Sequence, residues 1–214
     1  NSMHVGHPFA YLYKEDYEEV INKYKLNPAK RFISILPGSR RSEVKNMLPT
    51  FIEFINEYSK NNKNYFYLLP VADNELLPFI NESFQGLDLP ILIRKNAMKD
   101  FLSVSELSLA TSGTATLESA ILECPPVICY KTNFLNYSII SRMLKIENIG
   151  LPNLLLSKRY YKELLQNDFN KENILKSVTE TKGLISEGFE NANILRNMLK
   201  GNGYYEATKS ISSL

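Results

Sequence analysis

The sequence predicts an α/β domain in which short parallel strands form one sheet wrapped by helices on both faces. Three observations carry that expectation. Short apolar runs recur along the chain at residues 32–36, 65–69, 91–93, 107–110 and 127–130. Stretches of helical periodicity lie between them, which is the alternation that builds βαβ units. The runs are mostly apolar, as expected of strands covered on both faces.

The elements follow in order. After a polar lead-in at residues 14–30, Phe32, Ile33, Ile35 and Leu36 make a buried strand that Pro37 and Gly38 stop. Leu48, Phe51, Ile52, Phe54 and Ile55 then recur at helical spacing, which predicts a helix over 47–60. The pattern repeats as strand 65–69, helix 74–80, strand 91–93, short helix 98–104, strand 107–110, helix 114–122 and strand 127–130. From residue 133 the chain reads as mostly helical, with a strand-like interruption at 149–151 and a last helix over 203–214 bearing Tyr204, Tyr205, Ala207 and Ile211. No internal repeat or low-complexity linker divides it.

A chain of 214 residues with 44% apolar and 22% charged residues suits one large soluble domain or two small ones. Its 25 basic and 23 acidic residues leave +2, too balanced for nucleic-acid binding by bulk charge. The two cysteines, Cys124 and Cys129, read as small buried hydrophobes in a reducing compartment. The two histidines, His4 and His7, belong to no cluster with metal-ligand spacing, so no metal site is expected. No apolar run approaches the roughly 20 residues that span a bilayer, and the beginning of the chain lacks a signal-like pattern, which predicts a cytoplasmic protein. Asn1 and Ser2, ahead of Met3, read as an expression remnant.

In an open parallel sheet, ligands bind where strand ends lead into helices. Two such junctions carry unusual chemistry. After the first strand stands Pro37-Gly38-Ser39-Arg40-Arg41-Ser42-Glu43: Gly38 permits close backbone approach, Ser39 offers a hydroxyl, and Arg40 or Arg41 can fork onto phosphate oxygens. Taken alone, this is equally a polar turn with solvated arginines. After the 107–110 strand stands Thr111-Ser112-Gly113-Thr114, opening a helix whose unpaired amides and dipole favour an anion over Ser112, Gly113 and Thr114. Glu118, four residues past Thr114, leans back toward that terminus and is placed to accept both hydroxyls of a ribose. By itself, Thr114 is an ordinary cap and Glu118 a dipole-complementing carboxylate. The pattern is neither a P-loop nor a GxGxxG dinucleotide fingerprint. A third segment, Gly150-Leu151-Pro152-Asn153-Leu154, puts Asn153 where it either presents its amide to a sugar or phosphate or serves as a turn residue. Ahead of it, residues 133–145 mix Phe134, Leu135, Ile139, Met143 and Leu144 with Arg142 and Lys145, a stripe that either meets a membrane or acyl chain or belongs to the core.

Taken together, the LPGSRRSEV loop, the SGTATLE helix start, the LPNLL segment and the Val5-Gly6-His7-Pro8 stretch resemble the lipid-A-disaccharide synthases from Val5 onward. The resemblance implies the Rossmann-like C-terminal half of a glycosyltransferase-B fold. In that family a hexosyl group passes with inversion from UDP-2,3-diacylglucosamine to 2,3-diacylglucosamine 1-phosphate, without a metal or other cofactor. It assigns Gly38, Ser39 and Arg40 to the diphosphate loop, Ser112, Gly113 and Thr114 to the phosphate-facing helix start, Glu118 to the ribose, and Asn153, with Arg40, to a supporting place near the reacting groups. It also implies that residues 1–29 cross from an N-terminal domain bearing the catalytic base, with residues 30–214 forming the UDP-sugar-binding domain. The last helix is then expected to be mobile or docked on a second copy, a homodimer. The whole enzyme is expected at the cytoplasmic side of the inner membrane. The rival readings are another glycosyltransferase-B relative, such as a UDP-N-acetylglucosamine epimerase or the peptidoglycan N-acetylglucosaminyltransferase, and a nucleotide-binding module without chemistry.

Overall fold

A computed structural model describes residues 6–132 and 148–201. The stripe at 133–145 and the terminal helix expected over 203–214 therefore lie outside the described residues. Six parallel strands form one sheet: β1 (Arg31–Leu36), β2 (Tyr65–Val71), β3 (Ile91–Lys95), β4 (Leu107–Thr111), β5 (Pro126–Tyr130) and β6 (Glu163–Leu165), in the order β3-β2-β1-β4-β5-β6. Central β1 pairs Arg31 with Tyr65 on one side and Ile33 with Leu107 on the other.

The helices are α1 (Tyr17–Tyr24), α2 (Arg41–Asn61), α3 (Leu77–Ser83), α4 (Met98–Val104), α5 (Thr114–Ile121), α6 (Leu151–Leu155), α7 (Lys171–Lys182) and α8 (Gly188–Leu199). Alternation along β1 decides the layers. Ile33 and Ile35 join Met47, Phe51 and Phe54 of α2 and Ile174 and Val178 of α7 in one core. Phe32 faces the other way, against Phe101 of α4 and Val20 of α1, while Leu36 meets Leu102 and Leu122 on that same side. Farther along it, Ile128 of β5 packs with Leu117 of α5 and Leu195 of α8. The sheet is thus wrapped on both faces, as the apolar runs require.

Beyond shifts of a few residues at element ends, three departures from the sequence reading bear on the site. Helix α2 begins at Arg41, ahead of the apolar periodicity, because Glu43 reaches back to the amides of Ser39 and Arg40 (3.1 and 3.2 Å) and so holds the polar first turn in place. The strand-like interruption at 149–151 is instead the start of α6: Pro152 sits in the first turn, where its fixed φ and missing N–H suit a helix. The sheet's last strand, β6, was not expected, since it is three residues long and opens on a glutamate.

Cys124 and Cys129 are free and buried, and burial pushes the Cys124 thiol up to about 12 and the Cys129 thiol higher still. Ahead of β1, residues 8–15 are strapped down by Arg196 of α8, whose side chain is only 3% exposed. It donates to the carbonyls of Leu12 (3.0 Å) and Ile121 (2.6 Å), and its guanidinium lies over Tyr13. Among the described residues, no helix is long and apolar enough to cross a membrane.

Candidate functional site

The strand order reverses its direction of growth between β1 and β4, and there the carboxyl ends of both strands open onto a cavity of about 700 Å³. That is the switch point at which open α/β sheets bind ligands, because the two following loops diverge and leave a crevice.

One wall is the loop from β1 into α2. Gly38 has φ of +115°, and a Cβ there would come within 2.6 Å of the Glu43 carboxylate, so the tight turn requires glycine. Arg40 lies at the rim, mostly exposed, with its guanidinium 2.8 Å from Glu43. Arg41 points elsewhere, over the ring of Phe79, and does not line the cavity. Of the two arginines left open by the sequence, Arg40 is therefore the one at the site.

The facing wall is the turn from β4 into α5. Gly113 is the N-cap, and no side chain caps the helix, so the amides of Thr114 and Ala115, two residues of the cavity wall, have no side-chain partner. Ser112 donates its hydroxyl to the carbonyl of Ile149 (3.2 Å), so its oxygen, not its proton, remains to meet a ligand. Thr114 is the first residue of the helix rather than its cap. Glu118 lies one turn farther in, on the cavity wall, and burial raises its carboxyl above the ordinary carboxylate range.

Gly38, Ser39, Arg40, Ser112, Gly113, Thr114 and Glu118 thus share one cavity. Asn153 does not join them. It is wholly buried and spends its amide internally: Nδ2 donates to the Tyr161 carbonyl and to Glu163 (both 2.8 Å), and Oδ1 accepts from the amides of Tyr160 (3.0 Å) and Tyr161 (2.8 Å). With two donors and two lone pairs all used, it has nothing to offer a sugar or phosphate. The expectation that Asn153 presents its amide to a ligand is corrected accordingly.

The cavity also has a wall that the motifs did not reveal, made by Pro70 and Val71 at the end of β2, by Ala72 just after it, and by Asn96, Met98 and Lys99 after β3. Asn96 takes a left-handed φ of +53° and donates its amide to Val71, which bends the chain from β3 into α4. Lys99 is ion-paired with Glu15 of the lead-in segment. The strand-end rule alone, applied to β2 and β3, would have found this wall. Among the described residues, no group of three His, Cys, Asp or Glu side chains is gathered to hold a metal ion.

Comparison with known proteins gives the class first. The spinosyn rhamnosyltransferase SpnG superposes with a TM-score of 0.57 at 14% identity, over 86% of this chain and 46% of that one. WaaG, a glycosyltransferase of lipopolysaccharide biosynthesis, gives 0.53 at 10% identity, over 91% and 50%. The C-terminal CMP-Kdo binding domain of WaaA from Acinetobacter baumannii gives 0.52 at 12% identity, over 84% of this chain and 95% of that domain. The fold is therefore the Rossmann-like, doubly wound half of a glycosyltransferase-B architecture. The chain belongs to the lipid-A-disaccharide synthetase family, whose profile matches residues 1–198. Lipid-A-disaccharide synthase of Trichlorobacter lovleyi is 31% identical over 176 residues, spanning 79% of this chain and 45% of that protein. The Hahella chejuensis enzyme is 34% identical over 168 residues, spanning 77% and 42%. The chain thus spans less than half the length of these relatives.

Proposed function

We propose that this chain is the donor half of a lipid-A-disaccharide synthase and holds the UDP of UDP-2,3-diacylglucosamine in the cavity between β1 and β4. The observation that carries the reading is convergence. An arginine-bearing glycine turn, an uncapped helix start and a half-buried carboxylate meet in one crevice at the sheet's switch point. The helix start and Arg40 suit a diphosphate, and Glu118, one turn deeper, suits the paired hydroxyls of a ribose. Support also comes from WaaA, whose isolated C-terminal domain of this fold is described as binding a nucleotide sugar.

On this reading, the hexosyl group leaves UDP as the 6-hydroxyl of 2,3-diacylglucosamine 1-phosphate attacks with inversion. Arg40 and the α5 terminus steady the charge that gathers on the departing diphosphate, a role that typically contributes several kcal/mol to a transition state. The base that takes the acceptor's proton and the wall that positions the acceptor belong to the partner half of the full-length enzyme. This chain alone then binds UDP without forming disaccharide. The enzyme works at the cytoplasmic side of the inner membrane, where its acylated substrates lie, and uses no metal.

Calorimetry with UDP, UMP and inorganic phosphate, run with EDTA throughout, tests the reading. UDP is expected to bind more tightly than UMP, and UMP more tightly than phosphate. Absence of UDP binding, or affinities equal to that of phosphate, would overturn it. A non-catalytic nucleotide module would give the same ranking, and adding the chain to a synthase that lacks its own donor half separates the two by restoring disaccharide or not.

A further inference from the structure

Glu163 is a buried carboxylate that the site described above does not use. It is 2% exposed at the start of β6, and N–H groups meet it in place of a cation. Oε1 accepts from the amide of Gly150 (3.0 Å) and from Nδ2 of Asn153 (2.8 Å), while Oε2 accepts from the amide of Ile149 (2.9 Å). A carboxylate with three such donors is well satisfied, and it fixes the turn that supplies them. The turn is also packed tightly, since a Cβ on Gly150 would collide with Ile128 of β5 and approach Glu163 Oε1 to 3.1 Å. From this cluster the carbonyl of Ile149 reaches the cavity wall, where it accepts the hydroxyl of Ser112 beside the N-cap of α5.

We infer that Glu163 is a positioning residue which, with Asn153 as its buried partner, sets the Ile149 carbonyl and through it holds Ser112 and the start of α5 in place for an anionic ligand. The inference rests on the cavity being a UDP site. It gives Asn153 and Glu163 one shared task, explaining how residues with no access to the cavity govern it. A purely structural role would make Glu163 matter for stability and not for the ligand.

The test is a double-variant cycle on this chain, reading UDP affinity by calorimetry for wild type, Glu163→Gln, Ser112→Ala and the pair. Glutamine keeps the length but replaces one acceptor with a donor among three donors. Each single change is expected to weaken UDP binding about tenfold, and the pair no more than either alone. Losses that multiply to about a hundredfold, or a Glu163→Gln chain that melts earlier yet binds UDP normally, would overturn the inference. If Glu163→Gln does not fold, Glu163→Asp takes its place. Amide hydrogen exchange in the ligand-free chain gives a second readout. Faster exchange at Ile149 and Gly150 should be accompanied by faster exchange at Ser112, Gly113 and Thr114, and acceleration confined to the turn would overturn the link. A wild-type chain that fails to bind UDP would defeat the functional reading alone, because the exchange arm needs no ligand.

Discussion

Glu118 sits on a cavity wall with its carboxyl pushed above the ordinary range by desolvation. The sign of its effect follows from linkage. A group whose folded pKa is raised favours the fold below its unfolded pKa, and that contribution is lost as pH rises through the folded value. Once pH is above the carboxylate range, the cost of desolvating the charged form therefore weighs against folding. Glu118→Gln should melt above wild type at pH 7, with the gain shrinking as pH falls into the carboxylate range, in a pH series of thermal melts. The same residue should matter for the ligand: Glu118→Ala is expected to weaken UDP binding by about 1–3 kcal/mol and leave inorganic phosphate unaffected. The two arginines of the first loop divide similarly. Arg40→Lys should cost about 1.5–3 kcal/mol of UDP affinity, because an ammonium cannot fork onto two oxygens. Arg41→Lys, which exchanges one cation for another over Phe79, should change UDP affinity little. A reversed ranking in titrations of the two variants would place the wrong arginine at the diphosphate.

At the scale of elements, two docking contacts hold the segment before β1. Arg196 of α8 is buried against the Leu12 and Ile121 carbonyls, with Glu123 at 3.5 Å. Arg196→Met keeps the bulk but leaves buried acceptors unpaired, at a cost of about 3–5 kcal/mol in urea unfolding. Asp100 of α4 is desolvated, yet hydrogen bonds from Lys23 (2.7 Å) and Tyr24 (2.6 Å) of α1 hold its carboxyl below the usual range. Its stabilisation is present above the unfolded pKa and lost as pH falls through the folded one. Asp100→Asn should thus destabilise at neutral pH and match wild type in acid. These contacts were invisible in the sequence because their partners are far apart along the chain. Mostly apolar runs made β1 to β5 legible, since burial on both faces of the inner strands leaves few polar positions, Ser34 and Ser108 among them, to confuse the period. The short β6 was not legible, because its first residue is a glutamate whose charge is answered by amides rather than by water. The cavity lining was legible where one strand end makes one loop, at Gly38 to Arg40 and at Ser112 to Glu118. It was not legible at Lys99, which the bend at Asn96 after β3 brings to the cavity without any motif to mark it, nor was the place of Asn153, whose polarity marks a buried network instead of a ligand contact.

Across the whole molecule, the placement of β1 has a kinetic consequence. Its pairing with β2 needs a single crossover through α2, whereas its pairing with β4, joining Ile33 to Leu107, must wait until β2, α3, β3 and α4 have been laid down. Closing the longer loop carries the larger entropic toll, so the β1–β4 seam is expected to zip late in folding. The cavity straddles that seam, with one wall carried by each strand. A ligand that needs both walls has no purchase on a half-assembled sheet, and at a hundred times its dissociation constant it adds about 2.7 kcal/mol to the finished one. In stopped-flow chevrons, saturating UDP is therefore expected to depress the unfolding arm and leave the refolding arm where it was. The nucleotide would then serve as a latch on a completed chain and give no help to an incomplete one.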